Sequence, residues 1–321
     1  MNEFALIQEF FNRPCHLTSV VKSVGDDCAI LHVPSNQQLV VSIDTLVEGV
    51  HFLPNVSPSL IAERAVHVAV SDLAAMGASP QWLTLALTLP AANREWLADF
   101  SAGLFRAASL YEMDLIGGDT TRGPLTISVQ VHGFVEQDTA LQRSNAKVND
   151  AIYVTGCIGD GAAGLAVLEN RLDVDALSER YLIDRYYKPQ AQILTGQRIR
   201  QWASSAIDIS DGLLADLNHI CCASNVTARI DESLLPYSDV LNRYVDDKQK
   251  MQWALSGGDD YQLCFTVAPQ HQPHIEHLIK SSQITATCIG DMIERQPQHD
   301  GILSLRTHTY FDFPTKGYSH F

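Results

Sequence analysis

The alternation of apolar and polar positions along this chain changes period repeatedly, and the changes mark its elements. Glu3–Asn12 has an apolar stripe at helical spacing and reads as a short amphipathic helix. Leu39–Asp44 is β-branched and reads as a strand ending on a carboxylate. Pro58–Met76 reads as a helix stopped by Gly77. Its later part, Val68–Met76, is small and apolar almost all round, which predicts a buried helix. Trp82–Leu89 is a strand closed by Pro90, Arg94–Tyr111 a helix, and Asp114–Ile116 a short strand running into a Gly117–Gly118–Asp119 turn. Leu125–Glu136 completes the first half as a strand.

The polar stretch Gln142–Asp150 predicts a boundary, giving one domain over 1–140 and a second over 141–321. Beyond it, Ala151–Thr155 is a strand, followed by a glycine-rich turn and a helix to Asn170. Leu177–Tyr187 and Pro189–Ala203 read as helices, and Ala206–Gly212 as a buried strand leaving through two acids into the helix Leu213–Ala223. Val226–Ile230, Gln262–Val267 and Thr285–Asp291 are strands, and His271–Lys280 is a helix. A second Gly-Gly-Asp turn, Gly257–Gly258–Asp259, precedes the Gln262 strand. Strands alternating with helices in both halves predict an α/β chain.

Length and charge narrow the function. The 321 residues suffice for two ordinary domains or one large one, and 46% hydrophobic content supports a sizeable core. The 22 basic and 37 acidic residues give a formal charge of −15, which argues against a grip on nucleic acid or an anionic membrane. Seven cysteines without a C-x-x-C pair predict free thiols in a reducing cytoplasm. The N-terminus shows no basic and apolar signal pattern. The longest uncharged stretch, between Asp72 and Arg94, is interrupted by Gly77, Pro80 and Pro90, so no membrane span is expected.

The acids occupy telling places. Asp26, Asp27, Asp44, Asp72, Asp119, Asp208, Asp211, Asp259 and Asp260 follow apolar strands or sit in apolar helices. Strand ends are where α/β proteins build ligand sites. An acid inside the apolar Val68–Met76 helix costs several kcal/mol unless it is paired or bound. Carboxylates without histidine or thiolate partners suit Mg²⁺ or Mn²⁺ rather than zinc. Such a bed serves hydrolysis of phosphate esters or phosphoryl transfer from a nucleotide, and the residues alone leave both open. Competing motifs carry less weight. Gly159, Gly161 and Gly164 match G-x-G-x-x-G, but the acid-tipped second strand of a dinucleotide fold does not follow, so close packing explains them better. His271, His274 and His277 lie on a polar helix and read as a solvated face.

Taken in order, VGDDCAI (24–30), SIDTL (42–46), GVHFL (49–53), VSDLAAMGASP (70–80), IGGDTTRGP (116–124), IDISDGL (207–213) and SGGDDYQL (256–263) resemble the thiamine-monophosphate kinase family end to end. Its wider relatives are the AIR synthetase and selenophosphate synthetase superfamily. The resemblance implies ATP-dependent phosphorylation of thiamine monophosphate, on two α/β domains of AIR synthetase type, with mixed sheets and flanking helices, that form a homodimer through their N-terminal sheets. It implies Mg²⁺ on Asp27, Ser42, Asp44, Asp72, Asp119, Asp208 and Asp211. It places ATP on Gly118, Asp119, Arg143 and Ser210, with Tyr111 a further candidate, and thiamine monophosphate on His51, Asp259 and Tyr318.

Two positions depart from the family pattern. Ile43 stands where a hydroxyl residue is common, and Asp259 where glutamate is common. Transfer is expected to be direct and in line, with Arg143 and Arg122 holding phosphate oxygens and no catalytic group beyond the ligands. An AIR synthetase-like activity, a metal-dependent phosphatase and a silent metal–nucleotide binder are the rival readings. A selenophosphate synthetase would need a reactive cysteine in a glycine-rich loop, and Cys15 has no glycine beside it.

Overall fold

The computed structural model describes residues 3–296 and 301–311. They fall into two compact units: one holds the chain up to Leu73 with Ala78–Asp138, and the other holds Ala74–Gly77 with the chain from Thr139 onward.

In the first unit the order is α1 (Glu3–Phe10), β1 (Val20–Lys22), β2 (Ile30–Leu31), β3 (Gln37–Val47), α2 (Pro58–Ala75), β4 (Ser79–Leu89), α3 (Arg94–Leu110), β5 (Asp114–Arg122) and β6 (Thr126–Glu136). Strands β3, β6, β4 and β5 form one sheet in that order. The β3–β6 and β4–β6 pairs are antiparallel, and β4–β5 is parallel. Side chains alternate across it with period two. Leu83, Leu85 and Leu87 of β4, with Ile127, Val129 and Val131 of β6, are buried. On β3, Leu39, Val41 and Ile43 are 43, 46 and 60% exposed, so this strand shows water an apolar row.

Helix α2 owes its burial to alanine and valine on every side, as its composition predicts. Helix α3 starts at Asn93, whose side chain accepts from the Glu95 and Trp96 amides.

The second unit follows as β7 (Ala151–Thr155), α4 (Asp160–Leu168), α5 (Ala176–Tyr187), α6 (Ile193–Ile199), β8 (Ala203–Asp208), α7 (Leu213–Ser224), β9 (Val226–Ile230), α8 (Asp239–Tyr244), α9 (Asp247–Ser256), β10 (Leu263–Val267), α10 (Gln272–Lys280), β11 (Ala286–Glu294) and β12 (Leu303–Ser304). Its sheet runs β12–β9–β11–β7–β10–β8. All five residues of β7 and of β10 are buried. One apolar cluster joins β7, β8 and β9 to α7, through Ile152, Ile207, Leu217 and Ala228 among others. Among the described residues no helix is long and apolar enough to cross a membrane.

The structure corrects several expected bounds. Gly117–Gly118–Asp119 is no turn: β5 continues through it to Arg122, paired in parallel with β4. Asp44 lies inside an eleven-residue strand rather than at its end. The expected helix 189–203 shrinks to α6, because Ala203 already pairs with Val267 in the sheet. The glycines of the dinucleotide-like motif serve close packing. A Cβ at Gly161 would lie 2.3 Å from the Asp259 carbonyl oxygen, and one at Gly164 would lie 2.3 Å from that of Leu182.

Candidate active site

Each unit gathers its own set of candidate residues. In the first unit, the segment between β1 and β2, the N-terminal helix α1 and β5 enclose a cleft of about 1130 Å³. Asp26, Asp27, Gly117, Gly118 and Asp119 line it, together with apolar Phe4, Ile7, Phe11 and Leu115. Asp27 and Asp119 are exposed, so both carboxylates are open to a ligand. The Asp27 amide donates to the Asp26 carboxylate at 3.0 Å, and Lys22 lies 3.6 Å from the other Asp26 oxygen. Gly118 has φ +153° and packs its Cα against the Leu85 backbone of β4.

A second group lies on the covered face of the same sheet. Ser42 and Asp44 pair with Val131 and Val129, both fully buried, so period-two geometry turns them toward the helices. Asp72 of α2 meets them there, and the Ser42 hydroxyl donates to its carboxylate. Burial pushes Asp44 up to about 7, with the neighbouring Asp72 charge raising it further. Two acids crowded into a poorly solvated place favour a bound cation. The donors are carboxylate and hydroxyl oxygens, the set that hard divalent cations take. Among the described residues no three acidic, histidine or cysteine side chains converge into a ready-made cluster. Mg²⁺ tolerates that, since it keeps several waters and binds through one or two carboxylates plus substrate phosphates.

His51 sits in a tight loop after β3. Its Nδ1 accepts from the Val47 amide at 3.0 Å, which leaves Nε2 for the other tautomeric proton. Arg64, 2% exposed on α2, donates from Nε to the His51 carbonyl at 3.2 Å and so anchors the loop. Tyr111 closes α3, and its hydroxyl lies 2.6 Å from Nδ1 of buried His67. Arg122 ends β5, exposed and opposite Leu89.

In the second unit, Asp208 is the last residue of β8 and 5% exposed. Ser210 and Asp211 follow, half-buried, and both their amides donate to one oxygen of Asp216 at 3.0 Å. Burial pushes Asp216 up to about 7 against those hydrogen bonds, which pull it down. Asp216 was not among the expected site residues. Asp216 is the fourth residue of α7 and reaches back past Gly212 to two amides before the helix, which no capping-box spacing announces. Arg143 is exposed, with its carbonyl accepting from Ser224. Asp259 is half-buried, and the Tyr261 hydroxyl donates to it at 3.2 Å. Asp260 is 1% exposed and is pushed up to about 7 by burial. Tyr318 lies outside the described residues.

The chain matches known proteins over nearly all its length. Residues 25–135 match the N-terminal domain model of AIR synthase related proteins, and residues 147–299 match the C-terminal one. A thiamine-monophosphate kinase of Escherichia coli (strain K12) is 50% identical over 321 residues, covering 99% of this chain and 98% of the relative. That of Bacillus subtilis (strain 168) is 36% identical and covers all of both chains. The crystal structure of thiamine-monophosphate kinase from Stenotrophomonas maltophilia K279a superposes with a TM-score of 0.84 at 38% identity, over 95% of each chain. The structure of AaThiL complexed with AMPPCP and TMP superposes with a TM-score of 0.77 at 31% identity, over 94% of this chain and 92% of that one. On full-length identity and on two domain models that together span most of its residues, this chain belongs to the thiamine-monophosphate kinase family.

Proposed function

We propose that this chain transfers the terminal phosphoryl group of ATP to thiamine monophosphate, forming thiamine diphosphate and ADP. Relatives at up to 50% identity bear that enzyme's name, and AaThiL was solved with an ATP analogue and TMP together. The observation in this chain that carries the reading is the Ser42–Asp44–Asp72 group, where two crowded, half-buried carboxylates call for a cation.

Donor and acceptor are both anionic, so their approach is chiefly a charge problem. Asp27, Ser42, Asp44, Asp72 and Asp119 in the first unit, and Asp208 and Asp211 in the second, are the residues that would hold Mg²⁺. Held there, Mg²⁺ would supply charge neutralisation for the phosphates and a template for the transferred group. Gly118 has no side chain to obstruct phosphate oxygens beside Asp119. Ser210, Arg143 and Tyr111 complete the ATP contacts, and His51, Asp259 and Tyr318 those to thiamine monophosphate.

The acceptor is a phosphate oxygen. A monoester's second pKa is about 6, so it is already largely deprotonated at neutral pH and needs no general base. Transfer is therefore direct and in line, without a phosphoenzyme. The work divides into a metal- and ATP-binding, dimerising portion over 1–140 and a second portion over 141–321. The exposed Leu39–Val41–Ile43 row is the surface that pairing of two N-terminal sheets would cover. The enzyme acts in the cytoplasm.

Purified protein with Mg²⁺, ATP and thiamine monophosphate tests the reading. Thiamine diphosphate and ADP in equal amounts are expected. Free phosphate without thiamine diphosphate would make the chain a hydrolase, and no turnover would make it a binder. Asp119→Asn, at an exposed position, should lower kcat by at least about a hundredfold with an unchanged melting curve.

A further inference from the structure

The chain enters β10 through a strained backbone. Gly258, Asp259 and Tyr261 have φ of +68°, +61° and +50°. Two of these are not glycine, and a side chain in the left-handed region persists only where its surroundings over-determine it. Part of that support is backbone. The Asp259 amide donates to the Ser210 carbonyl at 2.9 Å, the Tyr261 amide to that of Ile209 at 2.8 Å, and the Ile209 amide to that of Gln262 at 2.7 Å.

Side chains add to it: the Tyr261 hydroxyl donates to Asp259, and a neighbouring acid reaches further. Asp260 turns inward, and its two oxygens accept from the Gly159 amide at 2.7 Å and the Gly161 amide at 3.1 Å, at the start of α4. Gly161 in turn lies flush against the Asp259 carbonyl. The start of α4 is itself tethered, since Asp160 accepts from Tyr181 and Ser238 hydroxyls, both at 2.6 Å. Asp260 therefore links an anchored helix start to the turn that presents Asp259, while being too buried to touch a ligand itself.

We propose that Asp260 is a positioning residue for thiamine monophosphate: it locks the left-handed backbone at Asp259, so that the Asp259 carboxylate meets the substrate already ordered. This rests on the reading of Asp259 as a substrate contact. Ordering before binding removes a cost that substrate affinity otherwise bears. The clamp acts on the acceptor substrate, so the two Michaelis constants should respond differently.

Asp260→Asn keeps one acceptor oxygen and turns an NH₂ group toward the other amide. It should raise KM for thiamine monophosphate at least tenfold and leave KM for ATP within twofold. A merely structural role would lower the melting temperature and the folded fraction, but leave both KM values of the folded enzyme unchanged. The same substitution in an Asp259→Ala background should add less than twofold to the KM of that background, because the group being positioned is gone. Equal penalties in both backgrounds would overturn the proposal.

Wild-type protein gives a readout that does not depend on the variants folding. The Gly159 and Gly161 amides should exchange at least about a hundredfold more slowly than an open peptide before any substrate is added. Open-peptide rates there would mean that no clamp exists. Turnover by the wild type separates the two readings. No thiamine diphosphate removes the activity and this inference together, whereas normal turnover with unmoved KM values removes the inference alone.

Discussion

Adjacent glycines in β5 should respond in opposite ways to the same methyl group. At Gly118 an added Cβ would lie 1.9 Å from the Leu85 carbonyl oxygen, 2.8 Å from its carbon and 2.9 Å from its nitrogen. The first contact is roughly 1.5 Å short of van der Waals separation, and every atom it meets is backbone of the neighbouring strand, so no rotamer relieves it. The backbone there also has φ +153°, which a side chain disfavours. Overpacking costs about 1–3 kcal/mol and the disfavoured φ about 1–2 kcal/mol more. Gly118→Ala should therefore lose about 2–5 kcal/mol, a fall in Tm on the order of 10 °C. At Gly117 a Cβ meets nothing within 4 Å, and its φ is ordinary. Gly117→Ala should be neutral or gain up to about 1 kcal/mol from a less flexible unfolded chain. Calorimetry on both variants reads the stabilities, and initial rates against ATP should show the KM rise confined to Gly118→Ala. A Gly118→Ala protein melting within 2 °C of wild type, or a Gly117→Ala protein falling as far, would refute the argument.

Further outcomes follow from other parts of the molecule. The folded-state pKa of Asp260 is raised from 3.8 to about 7, so its stabilising share is complete below pH 4 and is lost as pH rises toward 7. Between pH 5 and 8 urea unfolding of the wild type should lose about 3 kcal/mol through this group, and Asp260→Asn should show a correspondingly flatter profile. Asp72→Asn should raise the Mg²⁺ concentration for half-maximal rate by at least about tenfold, measured by metal titration at saturating ATP. The proposed pairing of N-terminal sheets predicts a dimer mass for the wild type and a monomer mass for Val41→Glu, in the exposed apolar row, by light scattering behind a sizing column. An unchanged mass would dissociate that row from self-association.

Elements with one strong period were legible in the chain: β6, β9 and helix α3 lie within a residue of where the pattern put them, while β4 starts three residues earlier than expected. Local signals failed where a neighbour decided. Two glycines and an acid argue for a turn at 117–119, and only the parallel ladder to β4 makes them strand. Helices α8 and α9 are polar and short, so no apolar stripe announces them. Their caps do, since Ser238 and Asp246 accept from the Leu241 and Gln249 amides. In the site, acids at strand ends were conspicuous because they interrupt apolar runs. Asp216 and Asp260 work by holding amides far along the chain or across a turn, and no spacing rule exposes that. Arg64 was invisible for the same reason, as its partner is a backbone carbonyl thirteen residues earlier.

The strand order of the second sheet has a consequence for how the chain is made. All the strands of the first sheet have been made once Glu136 is added. Strand β7 is complete at Thr155, yet its two neighbours in the sheet, β10 and β11, begin at Leu263 and Ala286. At usual elongation rates that gap of roughly a hundred residues lasts on the order of ten seconds. Throughout it, five residues destined for complete burial stand beside the ribosome with both edges open. The strands of the first sheet are thus all available during translation, whereas β7 gains both its neighbours only once β11 has been made. Expression yield should accordingly be more sensitive to slow translation between residues 156 and 286 than to slow translation before 136.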